Sequence, residues 1–239
     1  MVNDAPYRRK YSTRSVFRIK NLRNSVASPK VSGHYGNMTA GITGGVGCGK
    51  STVTGLLEAR GFRRLDADAI VREQIMRDPG VVAALREHFG PGILTGDGQI
   101  NRVILAEYIF GDDRERLWLE GYIHPRVYAA WRTAMAADPG ARWAIEVPLL
   151  YEKALENWFD FTVCVACAPD QQLARLEQRG LPRGLAGQRI SKQLPLARKI
   201  ERSDFVIWNE GSPEFLEHEV DRLADALSGA WSRPTPPTT

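Results

Sequence analysis

The chain has 239 residues, of which 43% are hydrophobic and 25% are charged, a composition typical of a globular protein. The net charge of +4 is concentrated in residues 1–37, which carry eight basic residues and one acidic residue, so residues 38–239 carry a net charge of −3. Residues 38–239 carry no excess positive charge, which argues against a nucleic-acid-binding protein. The sequence has no apolar run of about 18 residues, which argues against a membrane span. Three cysteines are too few for a disulfide framework.

Residues 1–37 form a basic leader without a clear helical period. Three interpretations stay open: a disordered leader, a transit peptide, and a start site misassigned upstream of Met38. The leader has no apolar secretory core, so we expect a cytoplasmic protein, or a mitochondrial one only if residues 1–37 are a transit peptide. The Pro- and Thr-rich residues 229–239 are expected to be disordered.

Strands and helices are predicted to alternate after the leader. Predicted strands span residues 39–43, 62–65, 142–147, 161–168 and 204–208. Predicted helices span residues 50–60, 169–179 and 213–227, with several more between 69 and 138. This alternation predicts an α/β fold with a parallel sheet covered on both faces. The helical block is too long for a simple crossover, so we expect a subdomain above the carboxyl ends of the strands, where ligands bind.

The strongest motif follows the first predicted strand. Residues 44–51 read GGVGCGKS and fit the phosphate-binding pattern GxxxxGK[ST] at every fixed position. Its glycines let successive N–H groups point at phosphate oxygens, and the next helix adds its positive end. Lys50 is expected to reach the β- and γ-phosphates, Ser51 to hold Mg²⁺ and Thr52 to reach the α-phosphate. The predicted ATP-binding residues here are Gly44, Gly45, Val46, Gly47, Cys48, Gly49, Lys50, Ser51 and Thr52.

The cysteines have two interpretations each. Cys48 either contributes only its backbone N–H to the loop or is a redox-sensitive thiol, because a helix N-terminus lowers the pKa of a thiol. Cys164 and Cys167 have the C-x-x-C spacing of some metal sites. They fall within a predicted strand, however, where positions i and i+3 face opposite sides, so buried structural cysteines are expected.

The remaining pattern favours a small-molecule kinase. The Asn-Lys-x-Asp base-reading motif and the D-x-x-G switch of regulatory GTPases are absent. Asp68 follows the second predicted strand and is the predicted catalytic carboxylate, which would orient the attacking hydroxyl and help Ser51 to hold Mg²⁺. Asp66 is predicted either to contact the substrate or to cap the next helix.

Residues 180–200 form the predicted lid. Glycines and prolines in this segment can act as hinges, and basic side chains can close over the phosphates and exclude water. A solvated basic helix is the alternative. The candidate basic residues, including those on the helix leading into the lid, are Arg175, Arg179, Arg183, Arg189, Lys192, Arg198 and Lys199.

Together these motifs resemble dephospho-CoA kinase, the P-loop kinase family of coenzyme A biosynthesis, from about residue 38 to 227. The resemblance is carried by residues 41–52, 66–68, 97–98 with Arg102, 124–125, 148–150 with Glu152, and 204–207 with Asn209 and Gly211. It implies the three-layer P-loop NTPase fold. Its implied parts are a nucleotide-binding core (residues 38–68 and 141–228), a helical CoA-binding insert (69–140) and a mobile lid.

The resemblance also implies the activity, an ATP- and Mg²⁺-dependent phosphorylation of the ribose 3′-hydroxyl of dephospho-CoA. Asp68 matches the family's proposed catalytic carboxylate, with Lys50 stabilising charge on the phosphate. Arg102 and His124 are candidates for contact with the substrate's phosphates, although residues 124–125 can instead simply shape a helix turn. Asn209 and Gly211 are expected near the adenine.

We expect dephospho-CoA as the partner, with no nucleic acid or membrane, and a monomer or weak homo-oligomer. Two other functions stay open. One is a P-loop kinase for another small acceptor, such as a nucleoside monophosphate. The other is a nucleotide-dependent regulatory protein tethered through residues 1–37 to RNA or a membrane.

Overall fold

The computed structural model describes residues 36–231, so residues 1–35 of the predicted leader and residues 232–239 of the predicted tail lie outside the described part. The strands are β1 (Met38–Gly44), β2 (Arg63–Asp66), β3 (Arg142–Glu146), β4 (Phe161–Ala166) and β5 (Phe205–Trp208). They form one sheet in the order β2-β3-β1-β4-β5, and β1 pairs in parallel with β3 and β4, as β4 does with β5. The predicted parallel α/β fold is confirmed.

The helices alternate with these strands, as predicted. They are α1 (Lys50–Glu58), α2 (Ala67–Glu73), α3 (Pro79–Phe89), α4 (Arg102–Gly111), α5 (Asp113–Ala137), α6 (Pro169–Gln178), α7 (Arg183–Ser191), α8 (Leu196–Arg202) and α9 (Pro213–Ala230). The chain divides into two compact units, one of residues 65–138 and the other of the described residues on either side. No helix among residues 36–231 is long and apolar enough to cross a bilayer.

The core of the first unit follows from the period-two alternation of its strands. In β4, Val163 and Val165 are buried in one apolar cluster that includes residues of α1 and α9. Cys164 and Ala166 face the opposite cluster, which includes Ile200 of α8. Both faces of the sheet are therefore covered, which explains why β4 reads as a continuous apolar run.

Helix α9 shows how local sequence sets one of these layers. The Ser212 hydroxyl accepts a hydrogen bond from the Phe215 amide at 3.3 Å, and Pro213 occupies the first helical turn, where its missing N–H costs nothing. Residues at helical spacing then turn inward. Those fully or almost fully buried are Leu216, Val220, Leu223 and Leu227.

The second unit is helical. Its longest helix, α5, buries one residue per turn, which gives a continuous apolar stripe. The buried residues of this stripe are Leu119, Ile123, Val127, Trp131 and Met135. Asp78, Asn101 and Asp112 cap the helices that follow them. On another side of α5, the Trp118 ring stacks on His88 of α3 with 3.6 Å between the centroids.

Candidate active site

The phosphate-binding loop joins β1 to α1 and depends on glycine at several positions. Gly47 and Gly49 have φ values of +79° and +92°, which favour glycine strongly. A Cβ on Gly44 would lie 2.1 Å from the carbonyl oxygen of Val165 in the neighbouring strand. The close contact of β1 with β4 thus excludes a side chain at the point where the loop leaves the sheet.

Lys50 begins α1 and turns back over this loop. Its Nζ donates hydrogen bonds to the carbonyl oxygens of Gly45 at 3.1 Å and Gly44 at 3.4 Å. Burial lowers the pKa of Lys50, while Cys48 and Glu146 act in the opposite direction. The ammonium group is thus held at the loop by weak acceptors that a phosphate oxygen can replace with a stronger, charge-assisted partner.

Side chains from β5 onward and from α6 form hydrogen bonds that support the loop. The buried Asn209 follows β5, and its Nδ2 donates to the Cys48 carbonyl at 2.9 Å. Arg175 of α6 donates in turn to the Asn209 carbonyl at 2.9 Å. Because Asn209 contacts the loop backbone directly, it can act on nucleotide binding through the loop conformation. Its predicted place near the adenine stays a prediction, as does that of the exposed Gly211.

A buried carboxylate lies at the carboxyl end of β3. Glu146 is in register with Ile42 of β1, close to where the loop begins. Its Oε2 accepts a hydrogen bond from the Thr54 hydroxyl at 3.4 Å and lies 3.8 Å from Nη2 of Arg64. Ser51 is exposed in the first turn of α1 and supplies a hydroxyl next to Lys50 in the sequence. These oxygen donors are of the type that Mg²⁺ prefers.

One thiol of the loop, that of Cys48, is in contact with the thiol of Cys167. The sulfur of Cys48 lies 3.4 Å from that of Cys167, which follows β4, and Gln172 of α6 donates to the Cys48 sulfur at 3.0 Å. All three cysteines are buried and free, as expected for structural cysteines. Cys164 and Cys167 belong to opposite apolar clusters, which confirms that they face opposite sides, although β4 ends before Cys167. No group of three metal-binding side chains occurs among residues 36–231.

The predicted lid contributes its carboxyl end to the loop. The side-chain oxygen of Gln193 accepts a hydrogen bond from the Val46 amide at 3.2 Å. The predicted lid arginines Arg179, Arg183 and Arg189 are all exposed. Their contact with phosphate stays a prediction.

Lys199 is buried, so it fits neither the lid residue that closes over phosphates nor the alternative of a solvated basic helix. Its side chain is fully buried, and Nζ lies 2.9 Å from Glu152 Oε1 and 2.8 Å from the Pro148 carbonyl oxygen. The same Glu152 oxygen accepts a hydrogen bond from the Leu194 amide at 2.9 Å. Glu152 and the Pro148 carbonyl therefore hold Lys199 at the end of the lid.

The remaining predicted site residues belong to the second unit. Asp66 caps α2, because its side chain accepts a hydrogen bond from the Ala69 amide at 3.0 Å, and Asp68 is exposed in the first turn of that helix. Arg102 is exposed at the start of α4. His124 belongs to α5, and the centroid of its ring is 6.0 Å from the centroid of the Tyr128 ring. Their roles toward substrate stay predictions.

The sequence did not single out Cys167, Gln172 or Gln193 as neighbours of the loop. Cys167 and Gln172 carried a usable signal, because they follow the strand that pairs with β1, and the carboxyl ends of parallel strands meet at one edge of the sheet. Gln193 carried no such signal, since it comes from an irregular segment 147 residues after Val46.

Comparison with known proteins agrees with this geometry. Residues 38–214 match the family model of dephospho-CoA kinase. The dephospho-CoA kinase of Thermosynechococcus vestitus is 44% identical over 189 residues, which cover 78% of this chain and 93% of that protein. That of Anaeromyxobacter dehalogenans is 40% identical over 82% of this chain and 95% of its own length. The crystal structure of TT1252 from Thermus thermophilus is 31% identical, with a TM-score of 0.72 over 82% of this chain and 99% of that chain.

A match of this extent, together with the phosphate loop and the strand order, identifies the family. The chain belongs to the dephospho-CoA kinase family.

Proposed function

We propose that this protein transfers the γ-phosphate of ATP to the ribose 3′-hydroxyl of dephospho-CoA, giving coenzyme A and ADP. The observation that carries the proposal is the glycine-built loop with the buried Lys50 turned over its carbonyl oxygens. A loop of this form binds a polyphosphate through backbone N–H groups. Membership of the dephospho-CoA kinase family supplies the acceptor.

Each residue has a proposed role in the transfer. Lys50 exchanges its two carbonyl acceptors for phosphate oxygens and stabilises the charge that develops on the transferred group. Asp68 accepts the proton of the attacking hydroxyl or orients that hydroxyl. The exposed lid arginines close over the phosphates, and Arg102 and His124 contact the anionic substrate. These lid arginines are Arg179, Arg183 and Arg189.

Mg²⁺ fits the oxygen donors near the loop. We propose that the Ser51 hydroxyl and the Asp68 carboxylate would hold the ion, with the Glu146 carboxylate as a further oxygen donor near the loop. The bound ion supplies charge neutralisation on the phosphates. Removal of divalent cations with EDTA should abolish turnover, and excess Mg²⁺ should restore it.

The proposed acceptor is tested by measuring ADP release with a panel of possible acceptors. ADP release should be rapid with dephospho-CoA and close to the background rate of ATP hydrolysis with nucleoside monophosphates. Faster release with a monophosphate would favour the alternative kinase.

The variant Asp68→Asn should lose most turnover but keep the Kd of ATP. Near-normal turnover of this variant would remove Asp68 from the mechanism.

The proposed setting is a monomer or weak homo-oligomer in the cytoplasm, without nucleic-acid or membrane partners. The net charge of −3 on residues 38–239 supports the absence of a nucleic-acid partner. Light scattering tests the assembly state. Salt-sensitive RNA binding that disappears when residues 1–37 are deleted would contradict this proposal and support a tethered regulatory protein.

A further inference from the structure

Cys48 and Cys167 form a dithiol pair that includes one residue of the phosphate-binding loop. Their sulfurs are 3.4 Å apart, although the residues are 119 positions apart in sequence. Cys48 belongs to the loop itself, and Cys167 follows the strand that pairs with β1. A covalent link between the two sulfurs would therefore join the loop to the sheet.

The surroundings give the two thiols different properties. The hydrogen bond from Cys167 is the largest cause that lowers the pKa of Cys48 to about 7, and the Gln172 hydrogen bond and the Lys50 charge act the same way against burial. The contact with Cys48 and burial raise the pKa of Cys167. Cys48 therefore has thiolate character, whereas Cys167 stays protonated. The thiolate is the form of cysteine that attacks an oxidant.

Cys164 provides an internal contrast. It is buried on the opposite face of β4, in a cluster with Ala166, Ile200 and Val206. Burial raises the pKa of its thiol, so it has little thiolate character. A reagent that oxidises Cys48 should leave Cys164 reduced.

We propose that Cys48 and Cys167 are a reversible redox-modification site, at which hydrogen peroxide converts the dithiol to a disulfide and weakens nucleotide binding. The Cys48 sulfur attacks one peroxide oxygen, the O–O bond breaks, and the leaving hydroxide takes a proton to form water. The Cys167 sulfur then attacks the Cys48 sulfenic acid, the S–O bond breaks, and a second water leaves. Two thiols are oxidised to one disulfide, and one peroxide is reduced to two waters.

The link changes the loop because the sulfurs must come closer. A disulfide bond is about 2.05 Å long, whereas the sulfurs are 3.4 Å apart. Gly47 and Gly49 on either side of Cys48 have positive φ values, and their freedom allows the backbone between them to move.

The expected cost to the reaction is large. A misplacement of about 1 Å can lower the rate of a catalysed step by up to about a hundredfold, and the sulfurs must approach by a comparable distance. Cys48 also carries the carbonyl that Asn209 holds at 2.9 Å, so movement at Cys48 strains a second contact of the loop. We expect turnover to fall at least about tenfold.

The test uses the full-length protein, reduced and then treated with hydrogen peroxide. Free thiols are blocked with iodoacetamide, and the digest is mapped by mass spectrometry. We expect a linked peptide joining Cys48 to Cys167 and an alkylated Cys164. Three alkylated cysteines, or a link that includes Cys164, would overturn the proposal.

The functional consequence is measured in the same samples. Oxidation should weaken binding of a fluorescent ATP analogue and slow ADP release, and dithiothreitol should restore both. Cys167→Ser and Cys167→Ala should lose this response, and the matched control Cys164→Ser should keep it, each variant being compared with its own reduced form. Loss of activity in oxidised Cys167→Ala, or a complete disulfide without any loss of binding, would overturn the redox control.

The loss of turnover rests on the proposed kinase function, but the peptide map and the nucleotide titration do not. A linked peptide and weakened ATP binding in a protein that never phosphorylates dephospho-CoA would refute only the proposed function. Normal kinase activity without a linked peptide would refute only the redox site.

Discussion

The buried ion pair of Lys199 and Glu152 gives a stability prediction with a worked magnitude. The Lys199 side chain is fully buried, that of Glu152 is 18% exposed, and Nζ lies 2.9 Å from the carboxylate oxygen. Lys199→Met keeps most of the side-chain volume and removes the charge together with the hydrogen bond to the Pro148 carbonyl. It leaves the partly buried Glu152 carboxylate without its cation.

Removing one partner of a buried pair costs about 3–5 kcal/mol. The lower end applies here, because Glu152 is partly exposed and keeps the hydrogen bond from the Leu194 amide. For a domain of this size, about 3 kcal/mol corresponds to a fall in Tm of about 6–12 °C. Thermal unfolding followed by circular dichroism measures this shift.

The double variant separates charge from packing. Glu152→Gln should also destabilise, but Lys199→Met combined with Glu152→Gln should cost less than the two single changes together, by at least about 1 kcal/mol, since no buried charge remains. Lys192→Met, at an exposed lid position, is the matched control and should change stability by less than about 0.5 kcal/mol. Additive single effects, or a Tm of Lys199→Met equal to that of the control, would refute the reasoning.

Three further predictions concern the loop. Asn209→Ala removes the donor to the Cys48 carbonyl, so calorimetry should show the Kd of ATP rising about tenfold; an unchanged Kd would contradict this. Gly49→Ala places a Cβ 2.3 Å from the Asn209 side-chain nitrogen and should abolish ATP binding without changing the far-ultraviolet circular dichroism, whereas retained binding would show that the loop adapts. Gln193→Ala frees the Val46 amide and should speed tryptic cleavage of the lid only in nucleotide-free protein; equal rates without nucleotide would count against this contact.

Much of the fold could be predicted because its signals are local. The glycine loop reads directly from residues 44–51, since its turns need glycine. The alternation of strands and helices gave the parallel sheet, and the burial of both sheet faces explains the apolar run of β4. The caps that the structure shows at Asp78 and Ser212 are local signals of the same kind, since each precedes a proline in the first turn of a helix.

The contacts that hold the loop could not be predicted in the same way. They join residues 147–161 positions apart, such as Val46 with Gln193 and Cys48 with Asn209, and no local pattern encodes such a pairing. Lys199 shows a second reason. A lysine in a basic segment is usually solvated, and only the folded chain reveals that Glu152 compensates its burial.

The central claim is that the γ-phosphate of ATP reaches the ribose 3′-oxygen of dephospho-CoA. The most direct measurement is mass spectrometry with fragmentation of the product formed from ATP and dephospho-CoA. We predict a product heavier than dephospho-CoA by one phosphoryl group on the 3′-oxygen, with one ADP formed per product and none of either with Lys50→Met. ATP consumption that leaves dephospho-CoA unmodified, or a phosphoryl group on another atom, would contradict the claim.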